Sequence, residues 1–428
     1  MGKFDAKKAL DYFLVYMLIA TTGIDFFYRA KMVFLIPMLL LVAGIFIYNG
    51  LGTHKFFIGY ILAATIVQFL QMLKFYYLPS ETFIGLYLRL FYAYFTIRIV
   101  GERFFKYYVN ILYYSAIISF FFYFTSYIPG VETFFITHVA PLFQNPFVNY
   151  NQHYTIAPSV IVYTFNSSGE NINLLLRNSG PFWESGAFAG FLVVAIIFNT
   201  IQTGSIFSPK NRILLLALLT TFSSTGFIVL MFILLSYIMT NSSLSFKVMV
   251  LPVILAVSVY AFFSLDFLGK KIVSNMNIAD ATYNNRFKSA YLDFMDAVEN
   301  PLLGLGRSEV TRFKGVTNEF ETHRNNGVTD FLVNYGFLVF AAYFYLIFLT
   351  FKRMCGYYGY NPRFAYYAIA MIFLIGFSES YFSRPLFYAL TMMSTLVPYV
   401  AAEADDTEEQ GDLHSLPSNH EMISSEPQ

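Results

Sequence analysis

Apolar runs close to membrane-spanning length recur along this chain, and they limit its possible folds more than any other feature. A helix needs about 20 mainly apolar residues to cross the hydrocarbon of a bilayer. Runs of this kind occupy residues 11–28, 32–48, 56–73, 82–100 and 107–128. Others follow at 186–201, 213–239, 246–267, 328–351, 364–377 and 385–402. Only 12% of the residues are charged, where a soluble domain carries roughly 25%. The expected fold is therefore an all-α polytopic membrane protein. One transmembrane domain covers residues 1–402, and an acidic, polar, disordered cytoplasmic tail covers 403–428. There is no internal repeat. The near-zero net charge and the lack of a basic tract give no reason to expect nucleic acid. A single cysteine, Cys355, excludes an intramolecular disulfide and any cysteine-rich metal site. The first run lacks a small-residue cleavage pattern, so it reads as an anchor and not as a cleaved signal peptide.

Orientation follows from the basic residues of the short loops. A cytoplasmic N-terminus puts Lys3, Lys7, Lys8, Lys55, Arg103, Lys106, Lys210, Arg212, Lys352, Arg353 and Arg363 inside. Only Arg29, Lys31 and Lys74 then lie in short outer loops. Two large extracytoplasmic loops result, at about 129–180 and 269–327. For both to be outside, the run 213–239 must cross an even number of times. It is long for one span and short for two. Its polar break Ser223–Gly226 is either a hairpin tip or the joint between two short helices. The count is about twelve crossings with both termini cytoplasmic.

The second loop is too long to lack structure of its own unless it is functional or disordered. Phe287, Ala290, Tyr291, Phe294 and Val298 recur in it at helical spacing, with Asp293, Asp296 and Glu299 between them. Asn284 or Asn285 can cap this helix and Pro301 stops it. The expectation is an amphipathic helix lying on the bilayer or on the transmembrane bundle. Around it stand Arg286, Lys288, Arg307, Arg312, His323 and Arg324.

Several polar residues sit where apolar ones belong. Arg89 lies a third of the way into a span. A charge at that depth is a site hypothesis by default, the alternative being an arginine that snorkels to the surface. Arg98, nine residues on, is on the opposite helix face and near the inner end. In RNSGPFWESGAFAGF, residues 177–191, a polar loop re-enters the membrane with the only tryptophan. Trp183 alone fits an interfacial anchor, and Glu184 alone could complement the positive end of the next helix. Arg177 and Glu184 around one Gly/Pro turn make a joint case for a site. ETHRNNGVTDFL closes the long loop, and His323 stands there beside Arg324 at a membrane entrance. A lone surface histidine is usually just solvated, though its pKa suits proton transfer near neutrality.

Together these stretches resemble the bacterial O-antigen ligase and O-antigen polymerase superfamily of membrane glycosyltransferases. The resemblance rests on four pieces in order: RNSGPFWESGAFAGF, LLTTFSSTG, NNRFKSAYLDFMDAVENPLLGLG and ETHRNNGVTDFLVNYGFLVF. It covers about residues 177–351. Where family members show a His-Asn pair, this chain has His323, Arg324 and Asn325. The FWESG form looks more like polymerases of capsule, exopolysaccharide or O-antigen repeat units than like lipopolysaccharide ligases. The resemblance implies transfer of a glycan from undecaprenyl diphosphate to a sugar hydroxyl, at the outer face of the bacterial cytoplasmic membrane. A flippase and a chain-length regulator would be its protein partners. Fixed guanidinium groups suit the leaving diphosphate. Arg177 and Arg286 come first for that role, then Arg89, with Arg324 and Trp183 as further substrate contacts. Arg286 is favoured by its place in the first turn of the loop helix. His323 is the candidate base, with Glu184 in reserve. No carboxylate or histidine pair has metal-ligand spacing, so a metal-independent enzyme without cofactor is expected. Rival readings are a ligase that transfers glycan to lipid A-core, a transporter or flippase, and a non-enzymatic scaffold. Transporters more often place their sites at midplane in interrupted helices.

Overall fold

A computed structural model describes residues 5–148, 156–166, 176–241, 286–313 and 324–397, with isolated positions between 243 and 256. The structure is 75% helix and 2% strand, an all-α fold. The chain opens with α1 (Ala6–Gly23), capped by the Asp5 side chain, which accepts from the Lys8 amide at 3.1 Å. Next come α2 (Asp25–Arg29), α3 (Lys31–Tyr48), α4 (Lys55–Phe75), α5 (Ser80–Val100) and α6 (Arg103–Thr125). A short α7 (Val131–Phe134) and the ribbon β1 (Ser159–Val160) with β2 (Tyr163–Thr164) fill the first large loop. Then follow α8 (Ser185–Thr203), α9 (Pro209–Thr220), α10 (Ser224–Asn241) and α11 (Arg286–Glu299). The last helices are α12 (Glu309–Arg312), α13 (Gly327–Tyr357), α14 (Phe364–Ser378) and α15 (Pro385–Met392).

Five of these helices, α4, α5, α6, α8 and α13, are long and apolar enough to cross a membrane. α8 is the central post, buried on nearly every side from Ser185 to Ile201. α4 stands at the edge with most of its surface open. Lipid tails are as apolar as these side chains, so packing and polar links hold such helices together. Aromatic rings supply much of that packing. Phe57 stacks on Tyr94 with centroids 3.8 Å apart, and Tyr108 meets Phe198 edge-on at 5.4 Å.

The helix ends sort into two sets. At one end Arg103 pairs with the buried Asp11 at 2.8 Å, Tyr357 donates to Glu102, and Arg353 donates to the Ser394 carbonyl at 2.9 Å. At the other end lie the turns before α5, α8 and α13 and the turn between α14 and α15. The run 213–239 doubles back as a hairpin. Asn178 donates to the Thr220 carbonyl at the tip, while Tyr237 of α10 returns to the Phe207 ring, 5.3 Å away, beside the start of α9. Its polar break is thus a hairpin tip.

The loop helix α11 forms as predicted, but its buried side is Ser289, Asp293 and Ala297. Tyr291, Phe294 and Val298 remain 51%, 46% and 50% exposed. Asp293 is drawn inward by arginines, while Phe287 and Phe294 of the apolar stripe meet Phe377 and Phe337 of the bundle, 5.1 and 6.3 Å away. The helix thus lies on the bundle, against α13, as one of the two expected placements had it. In the first large loop Tyr163 and Phe165 are buried against Phe122 and Phe135.

Helix α13 breaks at Gly336, whose φ of 78° lies in the left-handed region. There the segment 301–306 runs alongside it. Leu305 and Gly306 donate to the Val333 and Asn334 carbonyls at 2.8 and 3.0 Å, and Phe337 donates to Pro301 at 2.8 Å. Gln71 of α4 locks the pairing by donating to Leu303 and Asn334 at 2.6 and 2.8 Å. A β-carbon at Gly336 would lie 2.7 Å from the Leu302 carbonyl carbon, so only glycine fits.

Candidate functional site

The pairing at the α13 break delivers Arg307 and Arg312 to the end of the bundle. There they meet Arg89 from α5 and Arg384 from the turn before α15. The four arginines line one cavity of about 250 Å³, together with Thr21, Tyr28, Ser380 and Ser383. Among the described residues, Asp330 is its only carboxylate. Such a cavity favours an anion with several acceptor oxygens. Nη1 of Arg89 and Nη1 of Arg307 are buried and have no hydrogen-bond partner among the described residues. Arg312 is already committed, forking between Asp330 and Asp293, with its Nη2 3.0 Å from Asp293 Oδ1. Burial pushes the Asp293 carboxyl up to about 6; Arg312 opposes this, Asp330 adds to it and Arg324 opposes it. Thr329 also donates to Asp293, at 3.1 Å.

Arg384 rests against the Tyr28 and Trp183 rings, 4.0 Å from each centroid, and donates to the Thr22 and Ser380 carbonyls at 2.9 and 2.8 Å. This is a cation–π arrangement with the guanidinium held in place. A bridge between Ile24 and Phe182 and a bond from the Asp25 amide to Pro181 bring Tyr28 beside Trp183. Trp183 thus packs on Arg384, one of the residues that line the cavity.

A second charged cluster adjoins the first through the turn that carries Glu379 and Arg384. Arg286 Nη2 donates to Glu379 Oε1 at 3.3 Å. Glu184 hydrogen-bonds Glu379, and Arg177 lies within the field of Glu184, Arg286 and Glu379. Burial lowers the Arg177 guanidinium from its ordinary value, Glu184 opposing and Arg286 adding to the effect. Glu184 occupies the N-cap of α8 without its side chain capping the helix.

An apolar groove of about 530 Å³ lies between α4, α5 and α13, lined among others by Ala63, Val67, Leu86, Leu90, Leu338 and Leu346. Tyr335 and Tyr388 form its inner wall. Both lie within the field of Arg89 and of Arg307, which hydrogen-bonds Tyr335. Tyr335, hydrogen-bonded to Arg307, thus stands between the groove and the arginine cavity.

The structure brings Arg177, Glu184, Trp183 and Arg286 into one region and puts Arg89 in the cavity next to it. Arg324 goes elsewhere, to Asp293 at 3.6 Å and to Asp296 at 4.0 Å, where it holds α11. His323 lies outside the described residues. Reading the sequence missed Glu379 and Arg384. The signal was present in SESYFSRP, residues 378–385, a charged turn only a few residues long between two apolar runs. No protein family, curated protein or solved structure matches the chain.

Proposed function

We propose that this chain is a glycosyltransferase of the bacterial cytoplasmic membrane that polymerises oligosaccharide repeat units carried on undecaprenyl diphosphate. The observation that carries the reading is the cavity of four arginines beside an apolar groove, with Tyr335 between them. A polyprenyl diphosphate has this form, an apolar chain ending in an anion with several oxygens. The tail would lie in the groove and the diphosphate on Arg89 and Arg307, whose Nη1 atoms are buried without a hydrogen-bond partner among the described residues. The bond from the anomeric carbon to diphosphate breaks, and its electron pair leaves on the diphosphate, where fixed positive charge stabilises it. The acceptor hydroxyl oxygen bonds to that carbon and gives its proton to a base, for which His323 and Glu184 are the candidates. The site end of the bundle faces outward in this reading, with about twelve crossings and both termini cytoplasmic.

Arg177, Glu184, Arg286, Glu379 and Arg384 gather in and beside the turns at one end of the bundle, which favours transfer over transport. In purified form in lipid nanodiscs, the protein should convert a defined lipid-diphosphate oligosaccharide to longer glycans. Arg89→Ala or Arg307→Ala should lower turnover by about 10²–10³-fold. Lysine should not restore either fully, because it lacks the two-pronged geometry. Extension of the glycan only on lipid A-core would make the protein a ligase. A wild type that binds the donor and never consumes it would sink the reading.

A further inference from the structure

Glu379 is a buried carboxyl placed against another carboxyl, an arrangement that packing does not require. It is 6% exposed and follows the last turn of α14. Glu184 reaches it from the N-cap of α8, and both converge on Gly186. A β-carbon there would lie 2.8 Å from Glu379 Oε1 and 3.7 Å from Glu184 Oε1. A glycine is what lets the two acids meet. Facing them are Arg286 from α11, Arg177 from the loop before α8, and Arg384 and Tyr381 from the same turn as Glu379. The Tyr381 hydroxyl is spent on the Gly186 and Ala187 carbonyls, at 3.1 and 3.2 Å. Two carboxyls in hydrogen-bond contact cannot both be ionised without strong repulsion, so such pairs hold one proton between them. Burial pushes the Glu379 carboxyl up, Glu184 adds to this, and Arg286 and Arg384 oppose it. The pair also borders the arginine cavity, since Ser380, Ser383 and Arg384 of the same turn line it.

We infer that Glu184 and Glu379 share one proton and are the acid–base centre of the transfer, Glu184 accepting the proton of the attacking sugar hydroxyl and Glu379 orienting it. The assignment rests on the glycosyl-transfer reading. The hydroxyl proton passes to the Glu184 carboxylate as the oxygen bonds to the anomeric carbon. The diphosphate leaves with the electron pair of the broken bond, and Glu184 returns its proton to water. Glu379 is a positioning residue: its own proton holds Glu184 in place and is not transferred.

Infrared spectroscopy reads the shared proton without any turnover. A protonated-carboxyl band should persist at neutral pH, far above the ordinary glutamate value of about 4.3, and Glu379→Gln should lose it. In the nanodisc assay Glu184→Gln should lower kcat by about 10²–10⁴-fold, the usual span for a general base, with donor KM within a few-fold. Glu379→Gln should reduce kcat less and should also remove the fall in rate at alkaline pH, where the wild type loses the bridging proton. Glu379→Asp keeps the acid but withdraws it by one methylene, and it replaces the Gln variant should that one fail to fold. Three results would each overturn the assignment. They are absence of the carboxyl band, a Glu184→Gln enzyme within a few-fold of wild type, and a Glu379 variant whose pH–rate profile superimposes on that of the wild type. If the wild type consumes no donor, the glycosyl-transfer reading falls, and the band still decides whether the proton is shared.

Discussion

Asp293 and Arg89 show how differently a charge behaves with and without a partner. Arg89 keeps a buried nitrogen unused in a cavity large enough for an anion. Asp293 is wholly buried and held by Arg312, Arg324 and Thr329. Even so, burial raises its carboxyl to about 6, against about 3.9 in an unfolded chain. The folded state therefore binds this proton more tightly. The stability it contributes is complete below about pH 4 and is lost as pH rises through about 6. Asp293→Asn has no proton to lose there. Melting curves from about pH 4 to pH 7 should show the wild type losing ground to that variant by about 3 kcal/mol, two pKa units' worth. A difference that stays flat would mean that the two arginines keep Asp293 ionised throughout.

Among the elements, α13 and α11 carry what a linear pattern cannot. Apolar spacing located both helices and Pro301 marked where α11 stops. Spacing assigns the apolar stripe of α11 to its inner or outer side only when the surroundings are known to be water, lipid or protein. Here arginines from outside the helix decided it. The break at Gly336 is also invisible in the run 328–351, because its cause is the segment 301–306 lying alongside. Arg177 and Glu184 were legible because each interrupts an apolar or aromatic context, and Arg286 because it stands in the first turn of the loop helix. Glu379 was not, because its partner stands 195 positions earlier in the chain (379 minus 184). Gly336 permits a test of sign. In a straight exposed helix, Gly→Ala stabilises by about 1 kcal/mol. Gly336→Ala should destabilise instead, since the new methyl meets the Leu302 carbonyl. It should also raise donor KM by moving Arg307. A variant with a higher melting temperature and unchanged KM would show that the pairing at the break does not hold in solution.

At the scale of the whole molecule, the two sets of helix ends differ in chemistry in a way that a membrane would impose. One end carries the arginine cavity and the paired carboxylates. The other carries Arg103, Lys210, Arg353 and Arg363, the residues whose excess marks a cytoplasmic side. Cys355 lies in the last turns of α13 with 0% exposure, so the native thiol should stay silent on either side. That silence makes it a clean background for introduced cysteines. Glu81 begins α5 at the cavity end, and Arg363 precedes α14 at the other; both side chains are exposed. In intact cells a membrane-impermeant thiol reagent should label Glu81→Cys and miss Arg363→Cys, and permeabilisation should expose the second. Labelling of both from outside would put the two ends on one side. Labelling of Arg363→Cys alone would turn the cavity toward the cytoplasm, where a polymerase of exported repeat units could not use it.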